Sequence, residues 1–269
     1  MPFTFSTLRT AAVRLSIAAL VTLGALAPQP VSAQPSDSWK GTVAPFYLWA
    51  TRINGDISTR AGTVPVYMTF EDAEHRLASA FSFHVEAEKG RVGLFGDLDF
   101  VRLSTDADFT LQGPLATVVH GDVQVDNTTF EAGASYLLSS DPKRNLAIIA
   151  GLRTLTLSNT IDFTTPNVTL TPVDASRTAV SGFGGFTFRP ELSPKLSLLS
   201  RGDIGGGSGF SWSALLGFEY RPKPWAGLVI GYKGMGADFG KDDDDVPIRK
   251  VSLTYYGPIF GLNLHWGAR

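Results

Sequence analysis

The sequence predicts an all-β fold, an antiparallel transmembrane β-barrel of ten strands, with eight strands as the alternative. Three observations lead there. A polar/apolar alternation of period two is strongest between Ala80 and Thr105 and recurs along the chain. An export signal precedes it, and the 269 residues contain no cysteine. A membrane barrel shows apolar side chains to lipid and polar ones to its interior, so each strand alternates. Soluble sheets alternate too, which keeps a soluble periplasmic ligand-binding β protein as a third reading.

Composition narrows the classes. Mean hydropathy is +0.07, whereas each helical membrane span needs roughly 20 consecutive apolar residues. A barrel needs only every second residue apolar. The net charge of −2 carries no nucleic-acid footprint. Without cysteine there is no disulfide framework, thiolate metal site or cysteine nucleophile.

Residues 1–33 read as a cleaved signal peptide, and residues 34–269 as a single barrel domain. Arg9 and Arg14 supply the basic start, Leu15 to Leu26 the apolar core, and Val31-Ser32-Ala33 the small-residue cleavage pattern. Pro28 and Pro30 close the apolar run.

The first strand is expected at Trp39 to Ala50, with Trp39, Val43, Tyr47 and Trp49 on one face. At the rise and tilt of barrel strands, the ten residues from Trp39 to Trp49 span roughly 25 Å, the separation of two aromatic girdles. Residues 51–79 form a long connection, with a strand extension at Val64 to Thr69 and a turn or two of helix at Glu71 to Leu77. A hairpin follows. Phe81, Phe83, Val85 and Ala87 alternate with Ser82, His84, Glu86 and Glu88. A Lys89-Gly90 turn then pairs Val85 with Leu94 and sets Asp97 diagonal to His84. Residues 106–122 are expected as a long connection, with a strand extension from Asp106 to Leu111.

The fourth strand, Val123 to Leu138, sends Phe130, Ala132, Ala134 and Tyr136 one way and Glu131 the other. Ser139 to Arg144 turns the chain. The fifth, Asn145 to Leu157, opposes Leu146, Ile148, Ala150 and Leu152 to Arg153. After a Thr- and Pro-rich loop at 158–174, the sixth runs from Ser176 to Arg189. Pro190 to Lys195 turns into the seventh, Leu196 to Ile204, with Arg201 and Asp203 on one face. The eighth has the cleanest alternation, Phe210, Trp212, Ala214, Leu216, Phe218 and Tyr220 against Ser211, Ser213, Leu215, Gly217 and Glu219. Arg221 to Pro224 turns into the ninth, Trp225 to Met235. An acidic loop, 241–247, leads to the tenth, Lys250 to Trp266. Short and long connections mostly alternate, as in outer-membrane barrels with short periplasmic turns.

Phe260, Leu262, Leu264 and Trp266 alternate at the end of the chain. This resembles the C-terminal signal read by the barrel-assembly machinery, with Gly267-Ala268-Arg269 following the last aromatic. Further segments resemble a family of uncharacterised outer-membrane β-barrel proteins of Gram-negative bacteria: Pro45-Phe46-Tyr47-Leu48-Trp49, Gly93-Leu94-Phe95-Gly96-Asp97, Gly151-Leu152-Arg153, Arg201-Gly202-Asp203-Ile204-Gly205-Gly206 and Tyr256-Gly257-Pro258. The resemblance implies location in the outer membrane of a Gram-negative cell, in contact with its lipid. It implies no activity.

The polar face collects His84, Glu86, Asp97, Asp99, Glu131, Arg153, Arg189, Arg201, Asp203 and Glu219. In a narrow barrel such charges either pair across the lumen and plug it or line a water-filled path. Ser82, His84 and Glu86 share a face, but alternate residues of a strand stand roughly 7 Å apart, too far for a serine to reach its base. His75, His120 and His265 form no ligand cluster. Asp242 to Asp245 reads as a solvated acidic loop, with cation binding as the sharper alternative. Gly205 to Gly209 lacks the lysine and helix of a phosphate loop. No cofactor is expected. The leading function is a non-enzymatic barrel, a narrow channel or a structural membrane component; the second is an enzyme acting on outer-membrane lipid.

Overall fold

Backbone pairing closes the sheet on itself. The computed structural model describes residues 38–59, 62–111, 117–139, 141–164, 173–240 and 248–267. The signal segment 1–33 and the run Asp242 to Asp245 lie outside the described residues. Thirteen strands form one sheet: β1 Lys40–Trp49, β2 Arg52–Thr59, β3 Gly62–Met68, β4 Leu77–Lys89, β5 Val92–Leu111, β6 Thr117–Ser139, β7 Leu146–Thr164, β8 Val173–Phe188, β9 Glu191–Ser193, β10 Leu196–Gly207, β11 Gly209–Lys223, β12 Ala226–Gly240 and β13 Ile248–Trp266. One short helix, α1, spans Phe70–Arg76.

Every neighbour along the path β1-β4-β5-β6-β7-β8-β10-β11-β12-β13 is paired, and β1 pairs back onto β13. Through the Gly41↔Trp266 to Trp49↔Ile259 register the last strand meets the first. The upper part of β13 pairs with β2 instead, from Tyr256↔Arg52 to Ile248↔Thr59. So β1 and β2 act as one wall strand broken at Ala50-Thr51, and the barrel has ten strands. β3 is extra, hydrogen-bonded to β2 alone; β9 is a three-residue spur on β10.

The wall faces lipid. Leu94, Ile148, Leu152, Ile204, Leu216, Leu228 and Ile230 all project outward and exposed, each at least half accessible. A belt this apolar has no stable place in water but matches hydrocarbon. Trp39, Tyr136, Tyr220, Trp225 and Trp266 are exposed near the short-turn end, where amphipathic rings fit a membrane interface. The Trp212 ring lies across β12 where a Cβ on Gly236 would stand 2.2 Å from its Nε1, so a glycine is required there.

Three local expectations change. The hairpin turn is Gly90-Arg91, not Lys89-Gly90: Lys89 pairs with Val92, Val85 with Gly96 and His84 with Asp97. Gly90 has φ 63°, and among the described residues no non-glycine residue has positive φ. Positive φ at the first loop position is the II′ arrangement, whose twist suits the strands. The two-residue shift preserves which side chains face which way.

The second change concerns the tryptophans. Trp39 and Trp49 do not share a face and do not mark two girdles. The β1 register shifts between Val43 and Phe46, and this extra residue flips the alternation. Phe46 and Leu48 point outward, whereas Tyr47 and Trp49 line the interior.

The third is strand length. Residues 106–111 and 117–122 continue β5 and β6, and 158–164 and 173–174 continue β7 and β8. Much of the expected loop is a paired hairpin beyond the apolar belt. At the 51–79 connection, α1 starts with Thr69 and Asp72 bonded reciprocally: Asp72 N donates to Thr69 Oγ1 (3.1 Å), and Thr69 Oγ1 and N donate to Asp72 Oδ2 (2.6 and 3.0 Å). This is a capping box built with Asp.

Candidate functional site

The lumen is layered along its length. Toward the long connections it is apolar: Leu155 and Leu157 of β7, Ala179 of β8, Met235, Ala237 and Phe239 of β12, and Val251, Leu253 and Tyr255 of β13 form one buried cluster. Trp49, Ile53 and Val125 pack against it. β7 and β12 stand on opposite walls of the strand order, so these side chains meet across the interior and fill it.

Immediately below lies a charged layer. Arg153, two residues before Leu155, donates from Nε to Glu131 Oε1 and from Nη2 to Asp203 Oδ1, both at 2.7 Å. Arg201 donates to Asp203 Oδ2 at 2.8 Å and to Glu131 Oε2 at 2.5 Å. Two guanidiniums and two carboxylates thus share four charged hydrogen bonds between β6, β7 and β10. The Arg153, Glu131 and Asp203 side chains are at most 4% accessible. Charges this buried persist only when paired and fully bonded. The Phe183 ring lies under both guanidiniums, at 4.9 Å from Arg153 and 5.3 Å from Arg201, and supplies cation–π contact.

The network extends around the barrel. Arg201 Nη1 stands 3.5 Å from Asp97. His84 Nδ1 donates to Asp97 at 2.7 Å, and its Nε2 faces Glu86 at 3.6 Å. Arg189 closes on Glu86 at 2.7 Å. Lys233 donates to Asp99 at 3.0 Å and sits 4.5 Å above the Trp49 ring. Eight of the ten sequence-picked residues therefore join one chain of contacts, and a ninth, Asp99, pairs with Lys233 apart from it.

The tenth, Glu219, anchors a separate cluster nearer the short turns. It accepts from Asn263 Nδ2 at 2.7 Å and His265 Nε2 at 2.8 Å, and His265 Nδ1 contacts Thr42 at 2.9 Å. Between the two clusters lies a cavity of about 370 Å³, lined by residues including Tyr47, Glu86, Arg189, Glu219 and Lys233.

Sequence reasoning missed several members. Lys233 is one such residue, although in the ninth expected strand it holds the same alternate position as the lumen-facing Val229 and Met235. His265 was set aside as isolated because its partners Glu219 and Thr42 are distant in the chain. Both follow from parity alone. Phe183 and the apolar cluster do not, since a polar interior was the expectation.

No protein-family model and no curated protein matches the chain. Among solved structures it is similar to the outer membrane protease OmpT from Escherichia coli, at 9% identity and TM-score 0.48, over 88% of this chain and 99% of that one. It is likewise similar to the translocator domain of the autotransporter NalP from Neisseria meningitidis, at 12% identity and TM-score 0.48, over 96% and 97% of the two chains. The attachment invasion locus protein Ail of Yersinia pestis covers 85% of this chain with 99% of its own, at 10% identity and TM-score 0.35.

Proposed function

We propose that this protein is a non-conducting, non-enzymatic barrel of a Gram-negative outer membrane, a structural component whose lumen is closed to solutes. One observation carries the reading: two barriers stand in series, the apolar cluster and the Arg153–Glu131–Asp203–Arg201 layer beneath it. An ion crossing the lumen would have to enter an apolar plug and displace four charged hydrogen bonds. Residues 1–33 export the chain, the short turns and both chain ends face the periplasm, and the C-terminal strand through Trp266 engages the assembly machinery. The His84 ring is occupied by Asp97 and Glu86, which supports a structural role for it.

The test is single-channel conductance of the mature chain in a planar bilayer, after heat-modifiable gel mobility has shown that it is folded. The expected result is a folded, silent barrel. Discrete current steps that weaken in Arg201→Gln or Asp97→Asn would overturn the reading in favour of a channel along the charges.

A further inference from the structure

Among the described strands, the joint between β1 and β4 is incomplete. β1 pairs with β4 over five residue pairs only, from Lys40↔Glu88 to Ala44↔His84. The next residue is Pro45, which has no N–H to donate, and the β1 register shifts at this point. Above it, β1 pairs with β13 alone, and β2 pairs with β13 on one side and β3 on the other. Among the described strands, none bonds the edge of β4 from Leu77 to Phe83 on this side. A seam therefore runs up the wall between Pro45–Trp49 and Leu77–Phe83.

The two sides of this seam differ in chemistry. Its outer lips are Phe46 and Leu48 on β1 and Phe81 on β4, all exposed in the apolar belt. Its inner lips are Tyr47 and Trp49 on β1 and Ser82 and His84 on β4, all lining the lumen cavity. Phe83 belongs by alternation to the outer face, paired with Leu98, yet it lines the same cavity. Leu199, Leu215 and Ile259 add apolar surface within it.

We propose that the seam is a lateral opening through which the acyl chain of a membrane lipid lies from the bilayer into the cavity, against Phe83 and Trp49. An unpaired strand edge is tolerated in hydrocarbon only where protein or a polar cavity covers it. The cavity supplies that cover on the inside, and the aromatic lips seat the chain on the outside. The proposal requires the barrel to span a bilayer and is independent of whether its lumen conducts.

Trp49 is a built-in reporter. A variant keeping only this tryptophan (Trp39, Trp212, Trp225 and Trp266 each →Phe) is refolded into phosphatidylcholine vesicles whose acyl chains carry bromine. Trp49 faces the lumen, so bromine quenches it only when chains pass the wall. The expected result is at least a twofold loss of emission relative to unbrominated vesicles. A lone tryptophan placed by Phe183→Trp, also inward but remote from the seam, keeps its emission, and one placed by Phe46→Trp on the outer lip is quenched as proof of insertion. Bridging Leu48→Cys and Phe81→Cys, both on the outer lips, with a bis-maleimide, in a chain with no other cysteine, restores the Trp49 emission. Trp49 emission as protected as that at 183, or quenching that persists after bridging, overturns the proposal. Should the quadruple variant fail to refold, the same comparison uses all five tryptophans and reads the emission removed by Trp49→Phe.

Discussion

The two halves of the lumen solve the same problem by opposite means. Toward the long connections, β7, β8, β12 and β13 fill the space with Leu155, Met235, Phe239, Val251 and Leu253, as in the core of a soluble protein. Toward the short turns, the space is polar, held by ion pairs around a cavity. The apolar half is stabilised by close packing, the polar half by satisfied charges, and their failures differ in size. Removing an atom from the first leaves a cavity. Removing a partner from the second leaves a buried charge alone.

The largest expected effect is therefore Arg153→Met. It leaves the buried carboxylates of Glu131 and Asp203 with Arg201 as their one shared guanidinium, and unfolding in urea from lipid vesicles is expected to show a loss of about 3 kcal/mol. Phe239→Ala in the apolar half follows, with about 3 kcal/mol from lost transfer and residual cavity. The double variant is expected to add these losses, because the sites share no partner. In planar bilayers each single variant stays silent and only the double one passes current, since the barriers are in series. Current through either single variant would show that one half alone seals the barrel. His84→Gln keeps one hydrogen bond toward Asp97 and is expected to cost about 1 kcal/mol in the same urea measurement.

The smallest effect lies outside the membrane. Thr69 bonds to Asp72 hold its carboxyl below the ordinary carboxylate range. A depressed folded-state pKa means the stabilisation is present at neutral pH and is lost as pH falls through the lowered value. Hydrogen exchange in α1 is expected to accelerate at that acidic pH, and Asp72→Asn to remove the pH dependence while the barrel strands remain protected.

How much of this was legible in the sequence depended on which rule each segment obeyed. Strand number and facing came from alternation, which survives errors of register: the hairpin turn moved by a residue at each side, yet His84 and Asp97 remained on one face and met directly. Alternation failed where the backbone broke it. The irregularity beside Pro45 reversed Tyr47 and Trp49, and nothing in their spacing signals a bulge. The inward apolar residues Met235, Val251 and Leu253 were hidden for another reason. A strand apolar on both faces has no contrast to read, and a polar lumen was assumed. The Thr- and Asp-rich ends of β5 to β8 resemble loops in sequence because strands beyond the membrane need no apolar face.

The meeting of β1 with β13 also orders the protein's assembly in time. Nearly every other pairing joins strands that are neighbours along the chain, so hairpins can zip one after another at low entropic cost. The Gly41↔Trp266 contact joins the two ends and cannot form until the last strand exists. Until then the growing sheet carries two raw edges able to recruit other chains. A chain truncated before Ile248 would retain most of its native hairpins and still be the form most prone to aggregate.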